Sequence, residues 1–151
     1  MVMLITPGVR IKEMTPINTR IREIVLPVIH DARGDLTFIE GQNQIPFKIA
    51  RVYYLYNVPT DSERGGHAHI ELEQVIFALS GSFRLKVNDG NSKTEYLLRD
   101  PSRGIYTNKL TWCEIDCFSQ GAVCMVLASK PYDEGDYIRN EGEFLKLIGL
   151  S

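Results

Sequence analysis

From Ile21 onward the chain shows short apolar–polar alternations with a period of two, broken every few residues by turn-forming sequences. Successive strand side chains point to opposite faces, so this period predicts strands with one buried face. The β-branched run 22–29 is the first, ending in the turn-rich patch 30–35. A short strand over 36–40, the turn 41–43 and a long aromatic strand over 47–56 follow. The run 74–79 is apolar throughout and closes at Ser80-Gly81, while 83–87 alternates strictly. Asn88-Asp89-Gly90-Asn91 supplies the positive φ angles that a tight hairpin needs. Strands over 94–98, 104–107, 111–115 and 122–128 continue the series, and only Glu141 to Ile148 has a helical pattern. Residues 1–20 show neither period and read as an N-terminal extension to a single domain over 21–151. Many short strands spaced by turns predict a sandwich or barrel, here an all-β jelly roll with a short C-terminal helix and a ligand site in its mouth.

Length supports this: 151 residues fit one domain, able to bury roughly two-thirds of its unfolded surface. A net charge of -2 and a pI near 5.9 give no electrostatic case for nucleic acid or an anionic membrane. No stretch approaches the roughly 20 apolar residues of a spanning helix, and the start Met-Val-Met-Leu-Ile-Thr-Pro does not have the features of a signal peptide. Cytoplasmic residence is the expectation. The three cysteines, Cys113, Cys117 and Cys124, do not form a disulfide framework; in a strand-like context Cys117 and Cys124 read as buried thiols.

The sharpest chemical feature is Arg64-Gly65-Gly66-His67-Ala68-His69, which holds two of the three histidines. On a strand, His67 and His69 project to one face; if it lines the barrel, both imidazoles enter one cavity. Three readings stand. The histidines are merely surface or core residues; or they bind a metal together with Glu73, in a His-x-His-x-x-x-Glu spacing; or they are metal-free acid–base groups. The metal reading wants a further histidine from a later strand, where the chain has Trp112-Cys113; the remaining histidine is His30. On the aromatic strand Tyr53 shares a face with Arg51 and Leu55, and Tyr54 with Val52 and Tyr56; at least two of these tyrosines read as packing, and one hydroxyl beside the histidines is a candidate for proton transfer or for holding a sugar oxygen. Arg33 and Arg64, in turn contexts, and Arg51 are candidates for holding substrate, because a guanidinium fork matches two phosphate oxygens at once.

The order and spacing of several motifs resemble the nucleotide-sugar 3,4-ketoisomerases, the WxcM-like cupins. They are Asp31-Ala32-Arg33-Gly34, Ile45-Pro46-Phe47, Arg51-Val52-Tyr53-Tyr54, the Arg64–His69 run, Leu72-Glu73-Gln74, Asp89-Gly90, Val126-Leu127-Ala128-Ser129 and Tyr132-Asp133-Glu134-Gly135-Asp136-Tyr137-Ile138-Arg139. The resemblance implies a cupin, a double-stranded β-helix jelly roll, that forms a homodimer and needs no metal or other cofactor. It implies a thymidine-diphosphate-linked 4-keto-6-deoxyglucose substrate isomerised to a 3-keto sugar, in deoxyamino-sugar biosynthesis for surface polysaccharides such as lipopolysaccharide. By motif position, the family's active-site residues fall on Arg33, Tyr53, Arg64, His67 and His69. Two positions depart from the family pattern: Ile70, where a basic residue is common, and Cys113, where Trp-His is often found. The alternatives are a 3,5-epimerase of the same substrate, a metal-dependent cupin enzyme and a non-catalytic sugar-binding module.

Overall fold

The computed structural model describes residues 20–150, so the N-terminal extension expected over 1–20 lies outside the described residues apart from Arg20. Strands β1 (Ile21–Val25), β2 (Val28–Asp31), β3 (Gly34–Thr37), β4 (Arg51–Leu55), β5 (Arg64–His69), β6 (Gln74–Ser80), β7 (Phe83–Asn88), β8 (Lys93–Leu98), β9 (Arg103–Thr107), β10 (Trp112–Asp116) and β11 (Val123–Ala128) follow one another. A 3-10 turn (Glu134–Asp136), β12 (Tyr137–Ile138) and helix α1 (Glu141–Leu147) complete the order. Two five-stranded sheets, β1-β9-β6-β11-β4 and β12-β5-β10-β7-β8, form the body of the all-β jelly roll, and β2 and β3 make a separate two-stranded ribbon. Every described pairing is antiparallel.

Burial explains the sequence patterns. On β7, Phe83, Leu85 and Val87 are buried between the sheets while Arg84 and Lys86 reach outward to Asp116. Strand β6 is apolar at consecutive positions because both of its faces are covered. Ile76 and Ala78 join the inter-sheet core. Val75 and Phe77 pack beneath Leu26, Ile45 and Phe47, which cover the outer face of the first sheet. A third cluster joins Ala68, Trp112, Ile138 and Phe144, so α1 seals the back of β5. The Asn140 side chain caps α1 by accepting from the Glu143 N–H at 3.0 Å, satisfying one of the open donors of its first turn.

Two strands expected from the sequence are shorter in the structure. The run 22–29 divides at Leu26-Pro27 into β1 and β2. Proline has no N–H for the ladder, and the pairing of β1 with β9 ends at Val25 opposite Arg103. The strand expected over 47–56 is reduced to β4, because β11 runs out at Ala128, opposite Arg51. Phe47 still enters the core, but from a loop. One burial expectation is overturned: Cys113 and Cys124 are buried, whereas Cys117 is exposed. It lies one residue past the end of β10 with φ 53, a turn conformation that leads its side chain out of the sheet register.

Gly104 on β9 faces Phe77 on β6, and a Cβ there would sit 2.5 Å from the fully buried Phe77 ring. Replacing Gly104 with Ala is expected to lower stability by about 1–3 kcal/mol through overpacking. A urea midpoint unchanged from that of the parent protein would show that the ring moves aside freely.

Candidate active site

The second sheet builds the site around β5. Gly65 and Gly66 both have positive φ, 78 and 72. A Cβ on Gly65 would approach the Cys113 carbonyl oxygen to 2.8 Å, so the backbones of β5 and β10 can meet only with glycine here. The pairing passes from Cys113 opposite His67 to Glu114 opposite Gly65, leaving Gly66 as an extra residue in a bulge. Beyond the bulge the alternation resumes. Ala68 faces α1, and His67 and His69 share the opposite face with ring centroids 5.0 Å apart.

A cavity of about 510 Å³ opens before this face, lined by Tyr53, Arg64, His67, Gln74, Cys113, Tyr137 and Arg139 among others. This is within the usual size of small-molecule sites. His67 lines the cavity directly. His69 is 3% exposed and sits deeper, its ring 4.4 Å from that of Tyr137, which in turn lies 4.9 Å from His67. Of the two imidazoles expected to line one hollow, His67 does so and His69 does not; it lies buried behind the wall, in ring contact with His67.

The polar atoms here are unusually poor in partners. His67 Nδ1, His69 Nε2, Gln74 Oε1 and the Nε and Nη2 of Arg51 are buried without hydrogen bonds inside the protein. Nearly all buried polar groups in proteins are paired with protein or ordered water, so each of these atoms has hydrogen-bonding capacity open to a water or a bound molecule. Burial acts most strongly on the imidazoles. It pushes His67 below its ordinary value, opposed by a hydrogen bond with the Gly65 backbone. It lowers His69 as well, with His67 adding repulsion and Asp136 pulling the other way. Both rings are accordingly neutral near pH 7, the state in which imidazole accepts a proton. The Tyr53 hydroxyl is pushed far up, first by burial and then by Tyr137, and so remains a proton donor. The Cys113 thiol is raised to about 12 by burial and stays protonated.

Of the other expected site residues, Arg64 stands at the cavity edge. Arg51 lies behind the lining, its guanidinium 5.0 Å from the centre of the Tyr53 ring and 5.5 Å from that of Tyr132. Arg33 is not brought to this cavity. It sits in the turn of the β2–β3 ribbon with its side chain 90% exposed, donating to Asp31 from Nη2 at 2.6 Å. His30 is on the same ribbon, paired with Asp35. Glu73, the carboxylate of the metal spacing, accepts the Tyr106 hydroxyl. Among the described residues no group of three or more His, Cys, Asp and Glu is arranged to hold a metal ion. Tyr137, Arg139 and Asp136 were not identified as site residues from the sequence. They lie in the Tyr132–Arg139 motif, but β12 spans two residues, too short for alternation to show which face they take.

The family described as "FdtA: WxcM-like, C-terminal" matches residues 18–149. The TDP-4-oxo-6-deoxy-alpha-D-glucose-3,4-oxoisomerase of Aneurinibacillus thermoaerophilus is 47% identical over 120 residues, 80% of this chain and 86% of that protein. The structure is similar to that of a mutant of the 3,4-ketoisomerase QdtA from Thermoanaerobacterium thermosaccharolyticum in complex with TDP-4-keto-6-deoxyglucose. The TM-score is 0.83 at 40% identity, covering 85% of this chain and 94% of that one. It is also similar to the WlaRB TDP-quinovose 3,4-ketoisomerase from Campylobacter jejuni, with a TM-score of 0.81 and 41% identity over 85% of this chain and 98% of that one.

The depressed imidazoles tie the site to stability. The unfolded chain takes up His69's proton near the ordinary 6.5 while the folded state takes it up only at lower pH. This contribution is therefore complete above that value and is lost as pH falls below it. Urea midpoints measured at about pH 7 and pH 5 are expected to drop more in the parent than in His69→Asn; equal drops would show that His69 is not the group responsible.

Proposed function

The chain belongs to the FdtA family of WxcM-like C-terminal proteins, and on that premise we propose that it is a sugar 3,4-ketoisomerase. Its substrate is TDP-4-keto-6-deoxyglucose and its product the 3-keto isomer. The observation that carries this reading is a pair of neutral imidazoles in ring contact, His67 half-buried on the cavity wall and His69 buried against it, with His67 Nδ1, His69 Nε2 and Gln74 Oε1 left without partners. Moving a carbonyl between adjacent carbons requires groups that take and return protons near neutrality, and no net oxidation or reduction.

The C3 hydrogen is acidic because a ketone stands at C4. A base removes it, the electron pair forms the C3–C4 double bond, and the C4 oxygen gains a proton to give an enediol. The O3 proton then leaves, the C3 carbonyl forms and C4 is protonated. His67 and His69 share this traffic, supported by the position of His67 on the cavity wall and of His69 against it. Tyr53 donates to a sugar oxygen, in keeping with a hydroxyl that burial keeps protonated. Arg64 at the cavity edge binds the anionic part of the substrate and, with the unpaired nitrogens of Arg51, stabilises negative charge as it develops. No metal or other cofactor takes part.

The homodimer belongs to the same proposal. An isolated two-stranded ribbon is marginal in water, yet β2 and β3 leave Val28, Ile29 and Leu36 exposed, as β4 leaves Val52 and Tyr54. A second copy is the natural cover, and it offers a route by which Arg33, remote from its own chain's cavity, meets substrate in another. The enzyme works in the cytoplasm in deoxyamino-sugar biosynthesis for surface polysaccharides such as lipopolysaccharide. Residues 21–151 act as one cupin domain. Among the described residues no helix is long and apolar enough to cross a membrane.

Incubation with TDP-4-keto-6-deoxyglucose in deuterated water is expected to yield a 3-keto sugar with solvent deuterium at C4 and none at C5. His67→Asn and His69→Asn are each expected to slow turnover by about 10²–10⁴-fold. Deuterium at C5 would point instead to a 3,5-epimerase, and full turnover in both variants would end the acid–base assignment. Sedimentation equilibrium is expected to give twice the 17.2 kDa chain mass; a monomer at working concentration would remove the second copy from the proposal.

A further inference from the structure

Asp136 is a buried carboxylate that the isomerase reading leaves without a role. It closes the 3-10 turn Glu134–Asp136, whose first residue is preceded by the capping residue Asp133. Its Oδ1 accepts from the Glu71 N–H at 2.8 Å. Its Oδ2 accepts from the Leu72 N–H at 3.2 Å and lies 3.2 Å from His69 Nδ1. The Ile70 N–H donates to the Asp136 carbonyl oxygen at 2.9 Å. The segment that follows His69 is thus tied to this residue through three consecutive backbone N–H groups.

Resting on the isomerase reading above, we infer that Asp136 is a positioning residue that fixes His69 with hydrogen on Nδ1 and a bare Nε2. Two backbone N–H groups already donate to the carboxylate, whose oxygens present lone pairs. The oxygen facing His69 therefore calls for a donor, and Nδ1 must carry the hydrogen. A neutral imidazole has one N–H, so Nε2 keeps its lone pair. The opposite tautomer would set a nitrogen lone pair against the carboxylate and leave Nε2–H as a buried donor without a partner, since Nε2 has none. The groups around His69 are His67 on its own strand, Tyr137 and Asp136 from β12 and the turn before it, and Arg51 from β4. Asp136 is the one anion among them, and it alone favours the imidazolium that forms when His69 takes a proton.

Nitrogen-15 NMR of the ligand-free protein, with His69 assigned through His69→Asn, reads the tautomer without any turnover. Near neutral pH the expected spectrum has His69 protonated on Nδ1 and bare on Nε2; hydrogen on Nε2 overturns the inference. An amide at position 136 can donate to Nδ1, so Asp136→Asn is expected to move the hydrogen to Nε2. It is expected to lower kcat by about 10²–10⁴-fold with KM within about twofold. The acidic limb of the kcat profile is expected to move to lower pH, because the imidazolium has lost its counter-charge. A variant that melts earlier but keeps the tautomer and the pH profile would mean that Asp136 only holds residues 70–72, and this too overturns the inference. If Asp136→Asn does not fold, the tautomer in the parent protein still decides. A parent protein that shows hydrogen on Nδ1 yet leaves the keto sugar unchanged would overturn the isomerase reading and support the His69–Asp136 pair.

Discussion

Two imidazoles held side by side inside a protein repel each other once charged and lose hydration even when neutral, and the architecture around β5 answers this difficulty. Burial lowers both pKa values, so neither ring is charged near neutrality and the pair is tolerated. The same desolvation makes each ring responsive to a ligand, because the ring nitrogens left without partners gain most from a new hydrogen bond. The bulge at Gly66 sets which face of β5 the rings take, and there they meet Tyr137 of β12 in their own sheet and Tyr53 and Gln74, brought by β4 and β6 of the facing sheet. Adding a residue to the bulge, or removing Gly66, would exchange Ala68 with the histidines and put a methyl group into the cavity.

The fold was largely legible in the sequence because strand alternation is local. Phe83, Leu85 and Val87 announce a half-buried strand, and Asn88-Asp89-Gly90-Asn91 announces its turn; both are as expected. The expectation missed where a partner strand decides the outcome. Phe47 and Ile49 continue the apolar pattern of β4, but β11 has ended, and a pattern of side chains does not show the length of the neighbour. Cys117 fails for a related reason: a single residue in the left-handed region turns it out of the strand register, and its type does not announce that conformation.

The site was legible in part. His67, Tyr53 and Arg64 lie at one cavity, with His69 and Arg51 in a layer behind it; of these, spacing alone showed only that the two histidines share a face. Arg33 stands apart on its ribbon, because the turn it occupies follows a proline break and not the body of the barrel. Asp136 and Tyr137 lie about seventy positions from their partners, and no local period links them to β5; only the pairing of β12 with β5 brings Tyr137 opposite His69.

The docking of α1 behind Ala68 has a consequence for how the protein is made. Phe144 and Ile138 complete the cluster that supports the middle of the histidine strand, and Asp136 and Tyr137 complete the wall around His69. All of them leave the ribosome after the ribbon and the nine other strands that precede them, β1 and β4 to β11, have been synthesised. A nascent chain can thus assemble most of its barrel while β5 still lacks its backing, and the reaction centre is finished only when this last segment folds onto it.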